Sequence, residues 1–239
     1  MRIMSHLMRN YLREFVWVYI DDILIFSNKE DEPMEHIKKV CRKLKEADFF
    51  ASRKKSEFFS LKMNVLGHVA NDDGLHASSE KIMRIGEWTT PKDRKELREF
   101  LGLVNYISQF LPHIATITAP LTDLTGNAEF VWTPTHDIAF QNTKRLADDN
   151  KVIRRINHES GVPIWLITDA SDTGIAVRVG QGETPETVQP ASLYSRKFTN
   201  TQMNYGTTDK EALAIMDALV AFDYLLAGHE FTLLQIINP

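Results

Sequence analysis

Two apolar, β-prone runs, Phe15-Val16-Trp17-Val18-Tyr19-Ile20 and Ile23-Leu24-Ile25-Phe26, stand on either side of the adjacent acids Asp21 and Asp22. Runs of that composition pair as strands. The acids between them mark a tight hairpin, buried on at least one face, with two carboxylates at its tip. Side chains alternate across a strand, so in regular geometry the two carboxylates point apart; one can ligate a metal while the other turns aside or supports it. An Asp-Asp pair is otherwise an ordinary turn former.

The surroundings of the hairpin are those of a globular chain. Its 239 residues, 43% apolar and 25% charged, suit one large domain or two small ones and carry no disorder signature. The longest apolar stretches, Ile23 to Phe26 and Val162 to Ile167, are far too short for a bilayer, and no signal-peptide core precedes them. An intracellular protein of cytoplasm or nucleus, without a membrane partner, is expected. Cys41 is the single cysteine, which excludes an internal disulfide or a cysteine-based zinc site and leaves it as an apolar helix-face residue. The formal charge of −4 argues against a surface that holds nucleic acid everywhere. Residues 1–125 carry 19 Lys+Arg against 18 Asp+Glu, and residues 126–239 carry 9 against 14, so a phosphate-tracking face belongs in the first half.

Ile3, Met4, Leu7, Met8, Tyr11 and Leu12 predict a helix over 1–14 that starts inside its own pattern, as in a chain cut from something longer. A polar turn at 28–32 leads to a helix over 33–47, with Ile37, Val40, Cys41 and Leu44 on one face. Lys38, Lys39, Arg42, Lys43 and Lys45 form the other face. Continued by Arg53, Lys54 and Lys55, it suits a phosphate backbone, while interleaved Glu35, Glu46 and Asp48 suit a merely solvated surface equally well. Short strands are expected at 54–59 and 65–69, with Gly67 as a strand glycine that admits a close neighbour, then a turn at 71–74. Thr90, Pro91 and Asp93 start a helix with a hydroxyl cap, striped by Leu97, Phe100, Leu101, Val104 and Ile107 and closed by Phe110-Leu111-Pro112. Further helices are read at 114–124 and 135–146, and a polar stretch follows that nothing apolar crosses. Strands at 163–172, 174–180 and 191–198 precede a long helix, with Thr208-Asp209-Lys210-Glu211 as its capping box and Gly228 as its stop. A last strand is expected at 230–237.

The order Tyr19-Ile20-Asp21-Asp22, His36, Lys54-Lys55-Ser56-Glu57-Phe58, Leu66-Gly67-His68, Gly74, Lys81-Ile82, Trp88 and Pro91 resembles the palm-to-thumb segment of reverse transcriptases in gypsy-like long-terminal-repeat retrotransposon polyproteins. Leu97 to Tyr106 and Ala119-Pro120-Leu121 match the thumb, and Phe130-Val131-Trp132 with Ala139, Phe140 and Lys144 match the segment after it. Thr168-Asp169-Ala170-Ser171 and the helix start Asp209 to Ala214 are similar to the ribonuclease H domain that follows in those polyproteins. The resemblance implies a mixed α+β and α/β fold. It comprises a partial palm over 1–78, a helical thumb and connection over 79–147, a linker over 148–162 and an incomplete ribonuclease H-like mixed sheet with one long helix over 163–239. It further implies RNA-directed DNA polymerase and RNA–DNA hybrid nuclease ancestry. Asp21 and Asp22 would be the metal-binding catalytic acids of the first site and Asp169 and Glu211 those of the second, with Mg²⁺ or Mn²⁺ held weakly. Tyr19, Lys54, Lys55, Leu66, Gly67 and His68 would contact a primer–template or an RNA–DNA hybrid.

Three departures temper that reading. Family members carry basic residues between Tyr106 and Phe110, where this chain has Ile107-Ser108-Gln109. Ile236 stands at the position of the third ribonuclease H acid. The remaining palm aspartate and the nucleotide-holding fingers of the family would lie upstream of Met1. A retroelement-derived protein that is catalytically deficient alone is therefore expected. The alternatives are a non-catalytic nucleic-acid- or protein-binding module, or one piece of an enzyme completed by a partner chain. Incomplete sheets further predict self-association or such a partner. Glu211 has a competing role in the capping box, but it shares a helix line with Ile215, Ala218 and Phe222 and so faces the sheet.

Overall fold

A computed structural model describes residues 2–236, apart from 13, 28, 30 and 128. The architecture is the mixed helix-and-sheet one expected, in two compact units, 1–61 and 62–239.

The first unit contains α1 (Arg2–Leu7), β1 (Val16–Tyr19), β2 (Asp22–Ile25) and α2 (Pro33–Glu46). A two-stranded hairpin is marginal in water, so its buried face needs helices against it. Met8, Phe15, Val16, Val40 and Leu44 supply that core. Helix α1 is shorter than the 1–14 expected: hydrogen-bonded turns follow Met8, and Leu12 forms a bridge with Val16. Helix α2 keeps the expected bounds, with Pro33 in its first turn, where a missing N–H costs nothing. Cys41, expected on its packed face, is exposed. The strand expected at 54–59 does not form: 53–55 is a turn, and Phe58 and Phe59 stand 53% and 65% exposed. Positions 28 and 30 of the expected polar turn lie outside the described residues.

The second unit opens with an antiparallel sheet of β3 (Met63–Val65), β4 (His68–Asn71) and β5 (Gly74–His76). Leu66 and Gly67 are not strand residues. They form the turn between β3 and β4 with φ of 52° and 74°, the pairing of two left-handed residues that suits hairpin twist. What approaches Gly67 is the Tyr106 hydroxyl, which a Cβ at that position would overlap. The turn at 71–74 is as expected, with Asn71 Oδ1 accepting from the amides of Asp73 (3.0 Å) and Gly74 (3.2 Å).

Five helices follow: α3 (Ser79–Glu87), α4 (Arg94–Tyr106), α5 (Ile114–Ile117), α6 (Ala119–Asp123) and α7 (Pro134–Asp148), with a 3₁₀ turn over Ser108–Phe110. Helix α4 is capped by Asp93 rather than Thr90: Asp93 Oδ1 accepts from the Glu96 amide and Glu96 Oε2 from the Lys92 amide, each at 2.8 Å. A carboxylate there satisfies orphan amides and complements the helix dipole, which a hydroxyl three residues earlier cannot. The helix expected at 114–124 is split at Thr118, whose hydroxyl donates to the Ile114 carbonyl at 2.8 Å. Leu97, Phe100, Val104, Ile107, Phe110, Leu121 and Phe140 form one buried cluster.

The 148–162 stretch, expected as a polar linker, carries apolar anchors. Ile153 and Leu75 exchange backbone hydrogen bonds of 2.8 and 2.9 Å, and Ile156 is buried in the core of the next sheet. That sheet has the order β8 (Gln189–Lys197), β7 (Gly174–Gln181), β6 (Ile164–Ala170), β9 (Thr232–Ile236); β9 runs parallel to β6 and the other pairs are antiparallel. Helices α8 (Asn200–Met203) and α9 (Thr207–Leu226) lie between β8 and β9 in the chain. Leu166, Val177 and Val179 pack with Ala218 and Phe222 of α9. The expected capping box at 208–211 is absent: α9 starts at Thr207, with Gly206 as N-cap and no side-chain cap bond, so Glu211 sits one turn into the helix. The expected end of the last strand, Ile237, lies outside the described residues.

Candidate functional site

At the hairpin tip Tyr19 pairs with Asp22, leaving Ile20 and Asp21 as a two-residue turn. Tyr19 is 50% exposed, and Asp21 and Asp22 are both exposed. Ile20 has φ of 53°, a left-handed conformation that a β-branched side chain adopts only under strain. Replacing Ile20 with Gly is expected to raise the stability of the first unit by about 0.5–1 kcal/mol, since the left-handed penalty goes and part of the gain returns as glycine entropy. Chemical denaturation reads this; a loss of stability would show that the Ile20 side chain holds the turn.

Lys54 and Lys55 are exposed in the 53–55 turn. On α2, Lys38 and Lys43 are engaged with Glu35 (2.7 Å) and Glu46 (2.9 Å). Hydrogen bonding and charge from Lys38 hold the Glu35 carboxyl below its ordinary range, and Glu46 holds the Lys43 ammonium above its own. The basic face is thus partly self-neutralised, and Lys39, Arg42 and Lys45 remain exposed beside it.

The Leu66-Gly67 turn is fastened to the end of α4: the Tyr106 hydroxyl donates to the Leu66 carbonyl. His68 is stacked with Tyr106, ring centres 4.9 Å apart, and lies 5.1 Å from Phe110. Gln109 Nε2 is 3.1 Å from His68 Nε2. Lys81 Nζ sits 4.1 Å over the Tyr106 ring. Leu66 stays 43% exposed at the tip, whereas His68 is enclosed by helix residues. Gln109, in the stretch where the family resemblance expects basic residues, is within hydrogen-bond distance of the histidine. That contact was invisible in the sequence because 41 positions separate the two.

Burial and the nearby Lys81 charge push the His68 imidazole below its ordinary 6.5. His158, stacked on His229 with ring centres 3.6 Å apart, is also lowered, by desolvation and then by the charges of His229 and Arg155. A base with a depressed folded pKa binds fewer protons folded than unfolded, so stability is full above about pH 6.5 and falls as pH drops through the folded values. The denaturation midpoint is expected to be lower at pH 5 than at pH 7.5. His68→Gln should shrink that difference; an unchanged difference would count against a role for this histidine.

In the second sheet, register aligns Ile236 on β9, Asp169 on β6, Ala176 on β7 and Ser195 on β8 in one row. The row faces the α5 segment, because Ser195 Oγ accepts from the Ala115 amide at 3.1 Å. The opposite face of the sheet, including Leu166 and Val177, packs on α9. Asp169, whose side chain is 17% exposed, therefore meets His113, with Nδ1 3.6 Å from Oδ2. His113 itself has φ of 56°. Glu211 is half-buried on α9, which packs on the other face of the sheet, and its neighbour Lys210 is buried with Nζ 3.6 Å from Asp172 Oδ1. Among the described residues no three His, Cys, Asp or Glu side chains converge as a metal-binding group, at the hairpin or at Asp169. A two-metal centre needs several acids on one patch; with Ala176 and Ile236 flanking Asp169 and an imidazole before it, this donor set does not fit one.

The family described as reverse transcriptase (RNA-dependent DNA polymerase) matches residues 1–70. The family described as an RNase H-like domain found in reverse transcriptase matches residues 132–233. The Tf2-3 and Tf2-7 transposon polyproteins of Schizosaccharomyces pombe are 37% and 36% identical over 202 residues, 84% of this chain. The match spans 15% of the length of those relatives. Among solved structures, the foamy viral protease-reverse transcriptase in complex with RNA/DNA hybrid gives a TM-score of 0.82 at 26% identity, covering 98% of this chain and 32% of that one. The same viral protein in complex with dsDNA gives 0.80 at 25% identity, covering 98% and 48%.

Proposed function

Since this chain belongs to the retrotransposon polyprotein family that joins a reverse transcriptase domain to a ribonuclease H-like one, we propose that it retains the duplex-binding part of that ancestry without hybrid hydrolysis of its own. One observation carries the loss of hydrolysis: Ile236 lies in register with Asp169, at the place where the family resemblance puts a third acid. Both families generally use divalent metals. Here Asp21, Asp22, Asp169 and Glu211 are proposed to hold Mg²⁺ or Mn²⁺ only weakly, for want of further acids around them.

The proposed ligand is an RNA–DNA hybrid or a primer–template duplex. On the first unit, Tyr19 and the basic stretch from Lys38 to Lys55 would meet its backbone, and the foamy viral complexes with hybrid and dsDNA support that choice. Binding by such a stretch must fall with salt as counterions are released. Titration of a hybrid duplex at two salt concentrations should give salt-dependent affinity, with no Mg²⁺- or Mn²⁺-dependent cleavage above that of Asp169→Asn. Cleavage abolished by Asp169→Asn would overturn the deficiency, and salt-independent or absent binding would remove the ligand.

A second reading, association with another chain, is favoured by the outward face of α9. Met216, Val220 and Tyr224 recur there every four residues at 65%, 80% and 73% exposure, an apolar stripe of the kind that partners cover. Sedimentation as a monomer at high concentration would remove self-association.

A further inference from the structure

His113 is the residue that neither the family match nor the acids of the site explain. It follows Pro112 at the corner between the 3₁₀ turn and α5, and it is one of the few non-glycine residues with a left-handed backbone, φ 56°. A residue held in that conformation is strained and persists only where its surroundings fix it. Its surroundings are the second sheet. Within the same corner the Ala115 amide is bound by Ser195 Oγ at 3.1 Å, and Lys197 is ion-paired with Asp123 of α6. The imidazole, half exposed on its outer side, sets Nδ1 3.6 Å from Asp169 Oδ2.

That position has a consequence for any cation. A divalent ion such as Mg²⁺ sits about 2.1 Å from a carboxylate oxygen and keeps several waters, so it needs the space before the carboxylate that the His113 ring fills. The other neighbours of Asp169 in its row, Ala176 and Ile236, offer no donor to draw an ion in from the side. We propose that His113 is a positioning residue that locks the helical segment onto Asp169, so that a carboxylate inherited from a metal site now serves as a docking contact and its hold on divalent ions is weakened. The proposal rests on the reading of Asp169 as the first acid of the ribonuclease H-like site.

The test uses the full 239-residue chain and Mn²⁺ alone, followed by electron paramagnetic resonance. His113→Gly removes the ring and tolerates the left-handed backbone; His113→Gln keeps the corner filled. Mn²⁺ affinity is expected to rise about tenfold in His113→Gly, to stay near that of the unaltered chain in His113→Gln, and to lose the gain when Asp169→Asn is added. In parallel, the unfolding equilibrium constants of His113→Gly, Asp169→Asn and the double variant should show a coupling of about threefold, as for other contacting pairs. An affinity in His113→Gly equal to that of the unaltered chain overturns the lock. So does a gain that survives Asp169→Asn, because the ion would then bind elsewhere, and so does additive unfolding. Should the glycine variant fail to fold, His113→Ala is read by the same criteria. Hybrid cleavage on the same samples is scored separately: activity in the unaltered chain overturns the proposed deficiency, whereas the lock stands or falls on the affinities and the coupling.

Discussion

Ile236→Asp is expected to give the second unit a Mn²⁺-dependent thermal midpoint, rising by about 4–12 °C at a hundredfold excess of metal over Kd, with Asp169→Asn in the same background cancelling the response. Neighbouring strands are about 4.8 Å apart, and Asp169 and Ile236 are register partners on parallel strands. The new carboxylate would thus lie beside the old one on the same face. Without metal, two like charges so placed repel, and the midpoint should fall below that of the unaltered chain. With metal, binding to the folded state alone stabilises it by about 2–3 kcal/mol at a hundredfold excess over Kd, and a unit of this size moves about 2–4 °C per kcal/mol. Adding His113→Gly should enlarge the response by opening the approach. A midpoint indifferent to Mn²⁺ in both backgrounds would mean that the two positions do not share a face.

Phe100→Ala is expected to cost the second unit about 3–5 kcal/mol, the usual range for an aromatic deleted from a core that cannot collapse around the gap. Phe100 is fully buried, with ring centres 4.7 Å from Phe140 and 5.9 Å from Trp88. It thus joins α3, α4 and α7 at one point, and its loss is felt in three helices. Phe50→Ala is the matched control: at 94% exposure the same deletion should change stability by less than about 0.5 kcal/mol. Denaturant midpoints of the two variants check this directly. Equal effects would show that the packing around Phe100 is not what holds the helices.

The parts of the fold that the sequence made plain are those written in local periodicity. The hairpin at Asp21 and Asp22, α2, α4, α7 and the strands around Asp169 all announce themselves in apolar spacing, and each forms within a few residues of its expected bounds. What was illegible depends on partners distant in the chain. The 148–162 stretch reads as a polar linker because a single isoleucine in each of two places, Ile153 and Ile156, does the anchoring. Residues 54–59 have strand composition without a strand to pair with. Caps were misassigned where two candidates compete: Asp93 displaces Thr90, and Gly206 displaces Thr208. Ile236, which the family resemblance puts at the position of the third acid, lies in register with Asp169. His113 and Gln109 could not be found, since nothing in their own neighbourhood marks a contact made across more than 40 positions.

The parallel pairing of β9 with β6 bears on how this chain reaches its fold. Nearly the whole ribonuclease H-like segment, from Thr168 to its partner Gln235, must be spanned before that ladder can close, whereas β6, β7 and β8 zip through neighbouring hairpins. Contacts of long sequence separation close slowly. During folding β6 therefore waits with one edge unpaired, an apolar template for another chain. Refolding yield should consequently drop with protein concentration. A short excess of a peptide matching 232–236 added at the start of refolding should change that yield more than the same peptide added after folding is complete.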